Sequence, residues 1–229
     1  MTQKLAFRSD LDYGNREQRA QYTWLKYQSI LRGRSILDVG ADRCFLKQWL
    51  DPDARYWGIG VGGEPDQQFD LESGPLPFAD GAYDVVLCLD VLEHLEGIHR
   101  VFDELCRVSR QHVIVSLPNC LGFLWQVLTR FGMETDDRLM KYYGLPDEPP
   151  ADRHRWFFDA VEAEQFVRRR ALRNRMEVAH LDFVSPTRKP TRKKRLLWAC
   201  ARRVLLRRDI DRQRLFRGAM WAVLEHRQA

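Results

Sequence analysis

The stretch ILDVGADRCFLKQWL, Ile36 to Leu50, reads as an apolar strand, a glycine turn and the start of a helix. The strand carries an acid, Asp38, just before Gly40. A glycine at that point lets a ligand approach the backbone closely, and a helix start offers unpaired N–H groups. That combination suits a nucleotide-like ligand. Glycines are also expected at positions 42 and 44, where the chain has Asp42 and Cys44. The helix is expected to run to about Leu50, because Pro52 cannot continue it.

Outward from this stretch the same alternation repeats. Arg16–Leu31 reads as an amphipathic helix, capped by Asn15 and burying Trp24, Leu25, Ile30 and Leu31. Short strands are expected at Ser35–Val39, Tyr56–Ile59, Gln68–Leu71, Val85–Leu89 and His112–Leu117. Between the last two, Leu95, Ile98, Val101, Phe102, Leu105 and Val108 have helical spacing. Strands alternating with helices predict an α/β fold with a parallel sheet covered on both faces. Ligands of such sheets lie beyond the carboxyl ends of the strands. The turns to watch are therefore residues 40–44, 60–66, 70, 90–94 and 118–119. Further on, Leu121–Phe131 and Glu162–Leu172 read as helices. Met176–Val184 and Met220–Leu224 read as a late strand pair able to extend the sheet antiparallel at one edge.

The chain has 229 residues, 45% apolar and 30% charged, with a formal net charge of +5. One domain with an appendage is the expected organisation. Arg188 to Arg217 holds 13 Lys or Arg against Asp209 and Asp211, so a basic segment is joined to an acidic body. The five scattered cysteines form no C-x-x-C pair, and reduced thiols are expected. No apolar run approaches the ~20 residues that span a bilayer, and the N-terminus lacks a secretory core. A cytoplasmic location follows as the expectation. Leu196, Leu197, Cys200, Ala201, Val204 and Leu205 project to one side of a helix, with Arg195, Arg202 and Arg203 opposite. Such a helix either packs on its own domain or lies on an anionic membrane surface at 188–217. No aromatic interleaving supports nucleic-acid binding.

DLESGPLPFADGAYDVVLCLDVLEHL (Asp70–Leu95) and ELCRVSRQHVIVSLPN (Glu104–Asn119) resemble the class I S-adenosylmethionine-dependent methyltransferases, nearest the type 11 kind. The resemblance resumes at HRWFFDAVEAEQF (His154–Phe166) and AMWAVLEHR (Ala219–Arg227). It implies a single domain over 1–229 with a Rossmann-like seven-stranded sheet of order 3-2-1-4-5-7-6, strand 7 antiparallel. An N-terminal helical segment (1–33), an acceptor-side insertion or lid (120–158) and a basic helical insertion (186–217) would complete it. The implied cofactor is S-adenosyl-L-methionine. Asp38, Gly40, Ala41 and Asp42 fall beside its methionine part, and Gly60 stands where an acid holds the ribose. Asp70 and Leu71 flank the adenine, and Asp90 to His94 lie towards the methyl. Glu64 or Asp66 are candidates to replace the missing ribose acid.

Asp90 and His94 share a face if a helix starts that early, and a carboxylate beside an imidazole makes a general base. Alignment alone also suffices for methyl transfer to a good nucleophile. Asn119, Tyr142, Tyr143, His154 and Trp156 are the acceptor-side candidates. No ligand cluster has metal-binding spacing, so no metal is expected. The acceptor is expected to be a small molecule, a glycan or a lipid-linked compound. The alternative is a degenerate methyltransferase-fold module that binds an anionic surface or a protein partner.

Overall fold

The computed structural model describes residues 7, 13–124, 141, 148, 150, 152–184, 214 and 217–227. Seven strands form one sheet: β1 (Ser35–Val39), β2 (Arg55–Gly60), β3 (Gln67–Gln68), β4 (Tyr83–Leu89), β5 (Ser109–Leu117), β6 (Met176–Phe183) and β7 (Met220–His226). Their order is β3-β2-β1-β4-β5-β7-β6. The first five pair parallel, and β7 runs antiparallel to both β5 and β6. The expected topology is therefore the observed one. β3 is shorter than expected and starts one residue earlier, since Asp70 already turns back, its carboxylate accepting the Glu72 N–H.

Side chains alternate along the central strands and feed two cores. Leu37, Val39, Val86 and Val113 face helices α2 (Ile98–Val108) and α3 (Ala160–Arg173). Ile36, Val85, Leu87, Ile114 and Trp221 face helix α1 (Arg16–Leu31). Full alternation with both faces covered is what makes the β1 and β4 sequences continuous apolar runs. Asn15 caps α1 by accepting the Gln18 N–H at 2.8 Å. Asp159 and Glu162 form a reciprocal capping box at the start of α3.

Two expectations need correction. The segment after Gly40 is a five-residue 3₁₀ turn, Phe45–Trp49, rather than an α-helix to Leu50. So few residues before Asp51-Pro52 cannot offset helix nucleation, and short pieces favour the tighter turn. The buried side of α1 keeps Ile30 and Leu31 of the apolar set read from the sequence, but not Trp24 and Leu25. Tyr22, Lys26 and Tyr27 are buried, while Trp24 and Leu25 are half-buried. The Lys26 ammonium lies 2.7 Å from both Asp182 oxygens and 2.9 Å from the Tyr22 hydroxyl, among the Tyr22, Tyr27 and Trp221 rings. A charged residue marks a helix face as polar only until its counter-ion is found on another strand.

This pair fastens α1 to β6, and it yields a test of the fold. Asp182→Ala leaves a fully buried ammonium without its carboxylate, which costs about 3–5 kcal/mol when a buried pair is broken. The urea midpoint should fall sharply. Lys26→Met in the Asp182→Ala background should recover most of the loss, whereas an exposed, weak pair would give no recovery.

β6 ends where β7 begins in space: the Val184 N–H donates to the Ala219 carbonyl at 2.9 Å. A side-chain carbon at Gly218 would collide with the Val184 carbonyl oxygen, so only glycine fits this crossing. No described helix is long and apolar enough to cross a membrane.

Candidate functional site

The carboxyl ends of β1 and β4 meet at Gly40. Its φ is +83°, and a side chain there would overlap Val91. Asp42 and Cys44, in place of the expected glycines, have φ of +51° and +53°. The left-handed turn of a glycine-rich loop is thus kept without the glycines. Asp tolerates this region readily, while Cys carries the ordinary strain of about 1–2 kcal/mol. The following loop closes on the turn: the Glu64 N–H donates to the Asp42 carbonyl at 2.9 Å, and Gly63 sits too close to Asp42 for any side chain.

Asp38 is buried beneath the turn and accepts a hydrogen bond from the Tyr56 hydroxyl at 2.7 Å. Burial pushes its carboxyl up to about 6, against the lowering effect of that hydrogen bond. Burial, with the Asp38 charge next, also pushes the Tyr56 phenol up, so it remains a donor. Two arginines of α1 lean over the same turn. Arg16 lies 2.8 Å from Asp42, and Arg19 lies 2.7 Å from Asp90. Asp90 has φ of +53° and also accepts the Ser116 hydroxyl at 2.6 Å. Arg16, Arg19, Thr23, Asp38, Gly40 and Asp42 are among the residues enclosing a small cavity of about 30 Å³. Arg16 is the movable wall, its side chain 61% exposed. An exposed ion pair of this kind is worth about 0–1 kcal/mol, so displacing it costs little. A larger groove of about 510 Å³ lies at the opposite strand ends, between Trp57, Phe78 and Tyr83.

Gly60 ends β2, and its Cα faces the turn. A side-chain carbon there would stand 3.5 Å from Gly40 Cα and 3.7 Å from the Ala41 nitrogen, in ordinary contact. Of the two candidates to replace an acid at 60, Asp66 is spent elsewhere. Its carboxylate accepts the Gly58 N–H at 2.8 Å and pairs with Lys47. Glu64 is exposed beside Asp42. Leu71 is buried and its carbonyl accepts from Arg100 at 2.6 Å. Asp70 is exposed at the rim.

On the far side of Asp90, Leu92–His94 form a single 3₁₀ turn and α2 starts only at Ile98, so no α-helix puts Asp90 and His94 on one face. Asp90 is held by Arg19 and Ser116, and His94 belongs to a different group. His94 Nδ1 lies 3.3 Å from the Arg153 carbonyl, and its Nε2 lies 3.3 Å from Asp152 and 3.6 Å from Glu93. Its ring packs edge-on against His154, centroids 4.5 Å apart. Cys120 Sγ is 3.3 Å from His154 Nδ1. Burial lowers both imidazoles, His154 to about 4, and raises Glu93 strongly, with the Asp90 charge adding to the latter. Glu93 and Cys120 were not read as site residues, because a lone Glu and Cys carry no pattern until the chain returns at 152–156.

Of the acceptor-side candidates, Asn119 is committed to the fold. Its amide donates to the Arg214 and Arg217 carbonyls and accepts the Gly122 N–H. Trp156 is 39% exposed and donates to the Leu95 carbonyl at 2.6 Å. Tyr142 and Tyr143 lie outside the described residues, as does nearly all of 186–217. At the end of that basic segment, Arg214 pairs with Asp159, and Arg217 covers the Phe183 ring at 4.4 Å.

Residues 60–117 match a family model described as a methyltransferase domain. An uncharacterized methyltransferase of Mycobacterium sp. (strain JLS) is 34% identical over 89 residues, covering 34% of this chain and 35% of the relative. One of Mycobacteroides abscessus is 31% identical over 106 residues, covering 38% and 40%. The chain thus spans little more than a third of the length of the curated relatives it matches. Among solved structures, magnesium protoporphyrin IX methyltransferase from Synechocystis PCC 6803, with bound SAH, superposes with a TM-score of 0.52 at 17% identity over 94% of this chain and 90% of that one. A SAM-dependent methyltransferase from Archaeoglobus fulgidus gives 0.54 at 12% identity over 92% and 95%. The cyclase SpnF gives 0.53 at 15% identity over 95% and 87%.

Proposed function

We propose that this chain, which has the fold of the class I S-adenosylmethionine-dependent methyltransferases, transfers the sulfonium methyl of S-adenosylmethionine to a small-molecule, glycan or lipid-linked acceptor. The observation that carries this reading is the charge pattern around Gly40: Arg16 and Arg19 interleaved with Asp38, Asp42 and Asp90. A zwitterionic amino-acid end fits that pattern, its carboxylate against the arginines and its ammonium against the aspartates. The left-handed turn at 42 and 44 supports the same reading, since it keeps the backbone open to a ligand without glycine.

The cofactor supplies an electrophilic methyl. Asp38, Asp42 and Asp90 favour the cationic ligand over a neutral one, and Gly40 and Ala41 give it backbone contact. Asp70 and Leu71 border the adenine end. The acceptor approaches from the side of His94, His154 and Trp156. Alignment of nucleophile, methyl and sulfur is the main catalytic contribution asked of the protein. His94 borders the acceptor side, and no dedicated base is required of it.

Isothermal titration with S-adenosylhomocysteine (SAH) tests the reading, with a micromolar Kd expected. Gly60→Asp places a carboxylate beside the turn without a clash. A hydrogen bond to a charged group is worth about 1.5–3 kcal/mol, so affinity should rise about tenfold or more. No heat with either protein at millimolar SAH would overturn the assignment.

A further inference from the structure

Three ligating side chains meet where the end of β4 is covered by residues 152–156. One atom each of Glu93, His94 and His154 lies within 4.8 Å of the other two. We propose that Glu93, His94 and His154 form a binding site for a divalent transition-metal ion, zinc by the chemistry of the set.

Glu93 makes the strongest case. Its residue is 1% exposed, and its Oε2 has no hydrogen-bond partner. A buried polar atom left unpaired costs about 1–3 kcal/mol, and native proteins rarely leave one without a purpose. Oε1 lies 3.6 Å from His94 Nε2, so the carboxyl group is aimed at the imidazoles.

The two histidines are arranged as ligands are. His94 Nδ1 is turned to the Arg153 backbone carbonyl at 3.3 Å, which holds the proton on that nitrogen and presents the Nε2 lone pair to the cluster. Such a backbone acceptor is the usual support behind a metal-bound imidazole. His154 is 5% exposed, and Cys120 Sγ at 3.3 Å from its Nδ1 fixes the ring. The Arg155 and Trp156 N–H groups both donate to the Glu93 carbonyl, at 2.9 and 3.2 Å, and lock the covering loop onto the ligand residue.

Two imidazoles and one carboxylate suit zinc and its neighbours, whereas magnesium and calcium take oxygen sets. Three protein ligands leave one position for water or an acceptor oxygen, as in catalytic rather than structural zinc sites. His94, with 25% of its side chain exposed, is the solvent-facing member through which an ion enters. Asp152, 3.3 Å from His94 Nε2 and paired with Lys141, lines that entrance.

The test uses the full chain, stripped with chelator and titrated with Co²⁺ alone, followed by Zn²⁺ competition. One equivalent should bind, with visible d–d absorption of a low-coordinate site, and Zn²⁺ should displace it and raise the melting temperature. His154→Ala and Glu93→Gln should each weaken binding by at least the roughly 10–100-fold that loss of an outer-shell partner costs. Glu93→Gln keeps the side-chain shape, and circular dichroism checks its fold. His180→Ala, outside the cluster, should change nothing. Absence of binding by folded protein at millimolar metal, or binding that neither ligand substitution weakens, would overturn the site. Because the probe is the metal alone, this outcome is independent of SAH binding.

Discussion

Asp38→Asn is expected to stabilise the fold at pH 7.5 and to weaken SAH binding in the same step. Asp38 is buried, and its carboxyl is raised from 3.8 to about 6. Between those values the unfolded chain has released a proton that the folded protein still holds. Folding stability therefore falls as pH rises from about 4 to 6, and the deficit is complete above 6. Two units correspond to about 3 kcal/mol at neutral pH. Asparagine never ionises, and its carbonyl still accepts the Tyr56 hydroxyl. Urea unfolding should show the variant more stable by about 2–3 kcal/mol at pH 7.5 and equal to the parent near pH 4. A variant that is less stable at pH 7.5 would mean Asp38 is held ionised by contacts stronger than its burial. The ligand reads the same group from the other side. A cationic ammonium favours ionised Asp38, so SAH affinity of the parent should climb with pH up to about 6 and then level off. In the variant that dependence should vanish, together with about tenfold to hundredfold in affinity, the worth of a charged hydrogen bond. A functional acid kept at the expense of stability is a common trade at ligand sites.

The second large effect is expected at Gly40. Gly40→Ala puts a β-carbon into the Val91 side chain and forces an L-residue to φ of +83°. The backbone part costs about 1–2 kcal/mol. Overpacking adds about 1–3 kcal/mol, because Val91 is β-branched and has few rotamers to retreat into. The two contributions are separable. In a Val91→Ala background the clash disappears while the φ penalty stays, so a double-mutant cycle should give a coupling of about 1–2 kcal/mol. Additive effects would show that Val91 yields freely and that the turn is looser than its dihedral angles imply. SAH binding should weaken in both backgrounds, because the strained φ at position 40 shifts the turn that the ligand is proposed to contact.

The sheet was largely legible because its strands punctuate themselves. Ser35–Val39 is bracketed by Gly33 and Gly40, and both of its faces are buried, so the apolar run has sharp ends. The order of the strands came from the resemblance of Asp70–Asn119 to a family, since periodicity alone does not order a sheet. What stayed hidden depends on contacts between distant residues. Tyr56 looks like one more aromatic in a strand until Asp38 is found beside it. Lys26 looks solvent-facing until β6 brings Asp182 to it. Asp42 and Cys44 looked like lost glycines, whereas the backbone kept the glycine conformation and changed only the side chains. Glu93, His94 and His154 carry no spacing that marks them, because 59 residues of chain separate the adjacent pair from the third.

The crossing at Val184 and Ala219 has an architectural consequence. The chain leaves the sheet and rejoins it through one hydrogen-bonded gate, sealed by a glycine that admits nothing larger. Residues 185–218 thus connect two strand ends that are already held together. Doubling the length of such an excursion costs only about 0.6 kcal/mol of closure entropy. Insertions in this connection are expected to leave β1, β4 and the turn at Gly40 in place, which an unchanged urea midpoint would show. The returning end of the connection is held by Asn119 and Asp159 through residues 214 and 217. Variation in this connection can thus accumulate while the turn at Gly40 is inherited intact.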